Sequence, residues 1–215
     1  LSEGMRNGRL RGGALARAAR AAGLYASYCR TTGVDEIAAV ATSAIRDAEN
    51  QDEALEAVRA GGALPVRVLS TDEEAHYGFL GAVNASTLED GWFLDIGGGS
   101  LQVGDVRARE LVRSMSRPLG AVRLTEAFLS GDQRAKDEVK ALRAHVRATL
   151  GEVRWIRPRG GRLVGVGGAV RTLAVMHQPR HAHPLYDPQG YRLSREGLSE
   201  LVAGVLTPPA APRDR

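Results

Sequence analysis

The alternation of apolar and polar residues divides the chain into amphipathic helices and short strands. Apolar residues recur every three or four positions over residues 10–32 and 136–156, which predicts two long helices. Residues 101–106 and 110–116 alternate in polarity and predict two strands joined by a turn. Short apolar runs, typical of further strands, cover residues 37–41, 66–69, 92–96 and 163–166.

Helix signals follow most of these strands. Ser70 and the acidic residues after it form a cap and first turn for a helix that runs through Leu80. The remaining predicted helices cover residues 44–48, 51–60, 121–129, 169–177 and 195–205. Residues before Leu10 and residues 179–189 show neither pattern and are predicted to be irregular. Strands that alternate with helices, with glycines at strand ends, predict an α/β fold that binds ligands beyond the carboxyl ends of its strands.

Composition narrows the class of protein. The chain has 215 residues, of which 43% are hydrophobic and 25% charged, as in ordinary globular proteins. Its longest nearly uncharged stretch, residues 163–170, is too short to cross a bilayer of about 30 Å, and no secretory signal opens the chain. The single cysteine, Cys29, cannot form an internal disulfide. We therefore expect a cytoplasmic protein without membrane contact.

The charge balance leaves two interpretations open. The net charge of +4 and isoelectric point of about 9.6 suit an anionic partner. Only Lys136 and Lys140 are lysines among the 29 basic residues, so the other 27 are arginines, and this excess also suits a compositional bias of the source. The five histidines are scattered without ligand spacing, so we reject a zinc site.

A glycine-rich segment directly after a predicted strand is the strongest chemical signal. Residues 93–100 read FLDIGGGS and place Asp95 at the carboxyl end of the strand. The residues that follow, here called the glycine loop, are Gly97, Gly98, Gly99 and Ser100. Glycine N–H groups can approach a phosphate without obstruction by Cβ, and the aspartate can hold Mg2+. A glycine hairpin capped by Asp95 fits the same residues, so the motif alone leaves both interpretations open.

Three other positions are candidates for the same chemistry. Gly167 and Gly168 precede a predicted helix, whose N-terminus favours anions, although helix–sheet packing also selects glycines there. Glu73 and Glu74 lie at a helix start, where capping explains at least one of them, while the alternative is a base that deprotonates water. Arg46 follows a strand and can bind phosphate oxygens, or be solvated like most arginines in this chain.

Five collinear segments resemble the Ppx/GppA family of exopolyphosphatases and guanosine pentaphosphate phosphohydrolases. They are residues 41–50 (ATSAIRDAEN), 69–81 (LSTDEEA and GFLG), 95–100 (DIGGGS), 118–126 (PLGAVRLTE) and 165–174 (GVGGAVRTLA). Their order and spacing match over nearly the whole chain. Five matching segments in the same order are specific evidence for this resemblance, whereas a single segment would be weak evidence.

The resemblance implies an α/β fold of the actin-like ATPase, sugar kinase and Hsp70 superfamily, with two ribonuclease H-like lobes and an active site in the cleft between them. Residues 1–77 would be the remainder of the first lobe, and residues 78–215 most of the second. The family's first phosphate loop, an Asp-x-Gly-Ser-Asn-Ser motif, has no counterpart here. The chain is therefore interpreted as a fragment that lacks both ends, and its activity in isolation stays open.

The resemblance also implies roles for individual residues. Glu74 would be the general base, Asp95 a metal and phosphate residue, and Arg46 a phosphate contact. The glycine loop, with Gly167 and Gly168, would bind phosphoryl oxygens. The implied reaction is in-line attack of water on a terminal phosphoryl group, with Mg2+ as the cofactor.

One departure from the family pattern bears on activity. The third segment usually continues Ser-Thr-Glu, whereas this chain has Ser100, Leu101 and Gln102. Because a carboxamide carries no negative charge, we expect either weaker metal binding or a subgroup with altered substrate or activity.

The implied partner is polyphosphate or guanosine penta- or tetraphosphate, with no membrane and no specific nucleic acid. A homodimer, as in relatives, is an assembly that the sequence leaves open. Two other functions stay open beside the hydrolase: a non-catalytic polyphosphate or nucleotide sensor, suggested by Gln102, and a kinase of the same superfamily, for which no segment suggests an adenosine site.

Overall fold

Parallel and antiparallel strands combine in the sheet at the centre of the structure. This computed structural model describes residues 4–129, 136–156, 161–181 and 187–206. The strands are β1 (Met5–Arg6), β2 (Arg9–Leu10), β3 (Ala39–Ala41), β4 (Val66–Val68), β5 (Gly91–Ile96), β6 (Leu101–Arg107), β7 (Glu110–Arg117) and β8 (Arg162–Val166). Within the described residues, β1 pairs with β2, β3 pairs in parallel with β4, and the other four form a sheet in the order β7, β6, β5, β8. Because β5 is parallel to β8 and antiparallel to β6, the ends of β5 and β8 meet at one edge of the sheet.

Helices connect these strands as the sequence pattern predicts. They are α1 (Gly12–Thr31), α2 (Ser43–Arg46), α3 (Gln51–Gly62), α4 (Thr71–Asn84), α5 (Ala121–Phe128), α6 (Lys136–Gly151), α7 (Gly168–His177) and α8 (Arg195–Leu206). The Ser70 side chain accepts a hydrogen bond from the Glu73 N–H group, and the Glu73 carboxylate accepts one from the Ser70 N–H group. This capping box fixes the start of α4 at the predicted residue.

The central strand of the four-stranded sheet packs against helices on both faces. Phe93 of β5 is fully buried against α4, and burial of such a side chain contributes about 1.5–3 kcal/mol. The neighbouring Trp92 and Leu94 point to the opposite face and pack in a second core to which Val146 and Leu150 of α6 contribute. The period-two alternation of β5 thus places α4 on one side of the sheet and α6 on the other.

A third core lies around β3 and β4. It contains Leu15 of α1, Ile45 of α2, Leu55 of α3 and Val66 of β4. The short helix α2 and its Arg46 are therefore held by packing on one side, which leaves the arginine side chain free to reach toward α4.

Some predicted boundaries differ from the structure. The chain start is wrongly predicted as irregular: Asn7 and Gly8 adopt positive φ angles of 49° and 74° and close a hairpin between β1 and β2. Helix α6 ends at Gly151, before the predicted end at Ile156. Residues 178–181 form a 3₁₀ turn that overlaps the predicted irregular segment 179–189, and residues 182–186 of that segment lie outside the described residues.

Two further expectations bear on domain and membrane placement. The division between residues 77 and 78 falls within the continuous helix α4, and the two lobes stay a prediction. In the described part of the chain, no helix is both long and apolar enough to span a bilayer.

Candidate active site

Asp95 lies near the carboxyl end of β5, in the middle of the sheet. It is opposite Gln102 of β6 and Val166 of β8. Two glycines make room for its carboxylate: a Cβ at Gly167 would lie 2.5 Å from Oδ1, and one at Gly78 of α4 would lie 3.3 Å from Oδ2. The two strand ends and α4 thus converge on this carboxylate.

The environment of Asp95 disfavours its charge. Burial raises the pKa of the carboxyl, and the nearby negative charge of Glu74 raises it further. In the described part of the chain, Asp95 takes part in none of the ion pairs. A cation bound beside Asp95 would stabilise the ionised carboxylate and so oppose the increase in pKa that burial and Glu74 cause.

Glu74 is held by two donors from different parts of the chain. Nη1 of Arg46 lies 2.7 Å from Oε2, and the hydroxyl of Ser100 donates to Oε1 at 3.0 Å. The same Nη1 also donates to the Leu69 carbonyl at 3.0 Å. The structure therefore brings together three predicted site residues, Arg46, Glu74 and Ser100, that are far apart in sequence.

The structure separates the two adjacent glutamates, which the sequence alone could not do. Glu73 closes the capping box and forms an ion pair with Arg67 at the surface. Its hydrogen bonds to the Ser70 N–H group and to Arg67 lower its pKa. Glu74 is much less exposed, 14% against 41% for the Glu73 side chain, and faces the glycine loop. Helix capping therefore accounts for the carboxylate at residue 73, but it does not account for the carboxylate at residue 74.

The glycine loop has a defined orientation. The carbonyls of Gly97 and Gly98 accept hydrogen bonds of 2.9–3.0 Å from the first three N–H groups of α5, and the Gly99 carbonyl accepts one of 2.9 Å from Nε of Arg123. A Cβ at Gly120, the residue before α5, would collide with the backbone of Gly98 and Gly99. Only glycine at residue 120 permits this close approach.

This orientation decides which N–H groups can receive an anion. In a trans peptide, each N–H points opposite to the preceding carbonyl, so the N–H groups of Gly98, Gly99 and Ser100 point away from α5. Among the described residues, none accepts a hydrogen bond from these groups. Gly97 differs, because its N–H donates to the Ser100 carbonyl at 3.0 Å.

The second glycine pair lies beside Asp95. Gly167 has a φ of 89°, which only glycine adopts readily, and Gly168 is the first residue of α7. The N-terminus of α7 thus begins next to the carboxylate. The first N–H groups of a helix have no partner within the helix, so they can donate to an anion.

Gln102 continues the network into the sheet. Its side chain is almost fully buried, and its amide Nε2 donates to the hydroxyls of Ser100 at 2.9 Å and Ser116 at 3.2 Å.

Several residues of the site were not identified from the sequence. Arg123 donates from Nη2 to Asp47 at 2.7 Å, and Asp47 also pairs with Nε of Arg46 at 3.4 Å. Gly78 has a recognisable signal, because it follows Glu74 by four residues and so shares its helix face. Ser116 has none, since its contact depends on the register of β6 with β7.

The donor set fits Mg2+. This ion is commonly bound by one or two carboxylates, with water and substrate phosphates completing its shell. Asp95 supplies a carboxylate that pairs with no cationic side chain among the described residues, and Glu74 is close enough to raise its pKa. Within the described residues, no group of three or more His, Cys, Asp or Glu side chains is arranged to hold a metal. Mg2+ held here would therefore take most of its ligands from water and substrate.

A family model matches nearly the whole chain. The model of the Ppx/GppA phosphatase family matches residues 1–212. The chain belongs to the Ppx/GppA phosphatase family. The family resemblance indicated by the five sequence segments is thereby confirmed.

Curated relatives include exopolyphosphatases. Exopolyphosphatase 2 of Mycobacterium tuberculosis is 35% identical over 204 residues, which cover 91% of this chain and 63% of that protein. Exopolyphosphatase 1 of Mycobacterium bovis is 37% identical over 134 residues, which cover 60% of this chain and 38% of that protein. The chain thus spans less than two thirds of the length of these relatives.

Solved structures of the family share the fold. An exopolyphosphatase from Cytophaga hutchinsonii superposes on this chain with a TM-score of 0.82 and 25% sequence identity. The superposition covers 93% of this chain and 66% of the Cytophaga chain. The Aquifex aeolicus member gives a TM-score of 0.70 at 28% identity, with 93% and 64% covered. The predicted α/β fold is confirmed, and it is the fold of these two family members.

Proposed function

We propose that the full-length protein is a Mg2+-dependent phosphohydrolase that releases terminal phosphate from inorganic polyphosphate, guanosine pentaphosphate or both. The observation that carries this proposal is the position of Glu74. Its carboxylate is fixed between Arg46 and Ser100. The N–H groups of Gly98, Gly99 and Ser100 in the neighbouring glycine loop point away from α5.

The glycine loop and α7 provide the binding site for the phosphoryl group. The N–H groups of Gly98, Gly99 and Ser100 supply donors on the side of the loop away from α5, and the first turn of α7 at Gly168 adds a helix N-terminus. Such donors are preorganised for the charge that develops on the equatorial oxygens during transfer. Arg46 lies at the edge of this site and presents a guanidinium for phosphate oxygens.

Glu74 has the position of the general base. Hydrogen bonds from Arg46 and Ser100 fix the orientation of the carboxylate, and its low exposure limits the access of bulk water to it. The carboxylate orients the attacking water and accepts its proton as the new bond to phosphorus forms. The P–O bond to the rest of the substrate breaks in the same step, and the shortened chain leaves with the bonding electrons on its terminal phosphate oxygen. Mg2+ bound by Asp95 and the substrate would neutralise phosphate charge.

A second function is favoured by one observation, the buried Gln102. In a non-catalytic sensor, the same loop would bind polyphosphate without turnover, because the amide supplies no negative charge for the metal.

Phosphate release distinguishes the two functions. The full-length protein is incubated with Mg2+ and either polyphosphate or guanosine pentaphosphate, and inorganic phosphate is measured over time, with EDTA as the matched control. Release that requires Mg2+ supports the hydrolase and identifies its substrate. Binding of polyphosphate in a titration calorimeter without release would support the sensor and refute the hydrolase.

A further inference from the structure

The orientation of the glycine loop depends in part on a side chain. The Gly97 and Gly98 carbonyls accept hydrogen bonds from backbone N–H groups at the start of α5, and these donors remain whatever side chains α5 carries. The Gly99 carbonyl instead accepts a hydrogen bond of 2.9 Å from Nε of the Arg123 side chain. The orientation of the peptide between Gly99 and Ser100 is therefore open to change by a substitution.

This peptide carries a buried donor. Ser100 is only 4% exposed, and among the described residues none accepts a hydrogen bond from its N–H group. Because a buried N–H group without an acceptor is unfavourable, this donor suits an acceptor that arrives with the ligand, such as a phosphoryl oxygen. The N–H group points opposite to the Gly99 carbonyl, so the bond from Arg123 to that carbonyl also sets the direction of the donor.

The chemistry of Arg123 suits this role. Its guanidinium is always charged, and a charged donor at the carbonyl polarises the peptide, so that the N–H group of the same peptide donates more strongly. Its Nη2 also donates to Asp47 at 2.7 Å, which limits the movement of the side chain. Gly99 has no Cβ that would restrict rotation of the peptide, so the restraint must come from a neighbour such as this arginine.

We propose that Arg123 is a positioning residue that directs the Ser100 N–H group toward the phosphoryl group. This inference rests on the proposed function, because it concerns the same phosphate site. In this role Arg123 acts on the phosphoryl group through the peptide between Gly99 and Ser100.

Two substitutions separate the contact with Gly99 from the contact with Asp47. Nε2 of glutamine lies the same number of bonds from the backbone as Nε of arginine, so Arg123→Gln keeps a donor for the Gly99 carbonyl and loses the ion pair. Methionine has a methyl group at that position, so Arg123→Met loses both contacts. The matched control is Arg109→Met, because Arg109 also donates to a backbone carbonyl, that of Val83 at 3.0 Å, at the opposite end of α4 from the site.

Steady-state phosphate release by the full-length protein, with Mg2+ and polyphosphate, is the first measurement. Arg123→Met is expected to lower kcat by about tenfold or more while KM stays within about threefold, because a donor aimed at the developing charge acts mainly in the transition state. Arg123→Gln should keep kcat within about threefold of the unaltered protein, since its amide replaces the donor. Arg109→Met should keep both constants within about twofold.

Nuclear magnetic resonance of the full-length protein, labelled with 15N-serine, observes the donor directly and without turnover. The Ser100 amide signal is assigned by its absence in Ser100→Ala. Titration with inorganic phosphate and Mg2+ should shift this signal in the unaltered protein and in Arg123→Gln. In Arg123→Met the shift should be less than about half as large, because the N–H group is no longer held toward the anion.

The outcomes separate this inference from the proposed function. The positioning role is overturned by an unchanged kcat in Arg123→Met, by equal losses in Arg123→Met and Arg123→Gln, or by a Ser100 signal that phosphate does not shift. Should thermal melting show that Arg123→Met does not fold, Arg123→Ala replaces it in both measurements, since alanine is the residue most compatible with a helix. If the unaltered protein releases no phosphate, the proposed function fails, and the amide titration alone then decides on Arg123.

Discussion

Arg123 and Asp47, 76 residues apart in sequence, form an ion pair with 2.7 Å between Nη2 and Oδ2. Arg123 also holds the Gly99 carbonyl, and Asp47 also contacts Arg46. This pair therefore links the glycine loop to the arginine that binds the predicted base.

The coupling between these two side chains is measurable. A double-mutant cycle of Asp47→Ala and Arg123→Ala, followed by urea denaturation, is expected to give a coupling free energy of up to about 1 kcal/mol, because both side chains are about one third exposed. Added salt should reduce it. The longer and more exposed pair of Arg9 and Glu53, at 3.6 Å, is the control and should couple less. Equal coupling in the two pairs would contradict a special role for Arg123.

Glu74→Gln is expected to reduce phosphate release by about 100-fold or more, because the amide cannot accept a proton from water. Binding of polyphosphate should persist, since the glycine loop is unchanged. Glu73→Gln is the matched control on the neighbouring residue, where the amide can still close the capping box, and it should retain activity. Steady-state kinetics and calorimetric titration measure both effects; comparable losses in the two variants would argue against Glu74 as the base.

Gly167→Ala is expected to destabilise the protein by about 1–3 kcal/mol, because residue 167 has a φ of 89° and a Cβ there would meet Oδ1 of Asp95. Gly81→Ala, in the open surface of α4, should instead stabilise it by about 0.5–1 kcal/mol. Urea denaturation measures both free energies. If Gly167→Ala leaves the free energy of unfolding unchanged, the end of β8 can shift to accommodate the added Cβ, and the argument is contradicted.

Asp95→Asn is expected to raise the free energy of unfolding of the Mg2+-free protein at neutral pH. Burial and Glu74 raise the pKa of Asp95 in the folded state, so the folded protein binds this proton more tightly than the unfolded chain does. Ionised Asp95 therefore opposes folding above the raised pKa. The difference in free energy of unfolding between Asp95→Asn and the unaltered protein should decrease as the pH falls through the raised pKa toward the ordinary value of 3.8.

Denaturation with EDTA at a series of pH values checks this expectation. The control is Asp72→Asn, in the first turn of α4, which should destabilise by about 0.3–1 kcal/mol through loss of a favourable helix-dipole contact. A lower stability of Asp95→Asn at neutral pH would contradict the argument.

Local patterns in the sequence determined most of the elements. The alternation in β5, the capping box of α4 and the glycines after β5 and β8 each depend on neighbouring residues, so short-range chemistry specifies them. The same signals placed Asp95 and Gly167 at strand ends, and the family resemblance singled out Glu74 and Arg46. Asn7 and Gly8 are also a local signal, for a hairpin, but the two-residue strands on either side are too short to show an alternation of polarity.

Only the tertiary structure decided how these residues act on one another. The parallel pairing of β5 with β8 brings Gly167 to Asp95, and the packing of α4 on the sheet turns Glu74 inward while Glu73 stays at the surface. The orientation of the glycine loop depends on its bonds to α5, and the contact of Gln102 with Ser116 depends on strand register. Such contacts join residues that are distant in sequence, and no periodicity or motif within one segment encodes the distance between two segments.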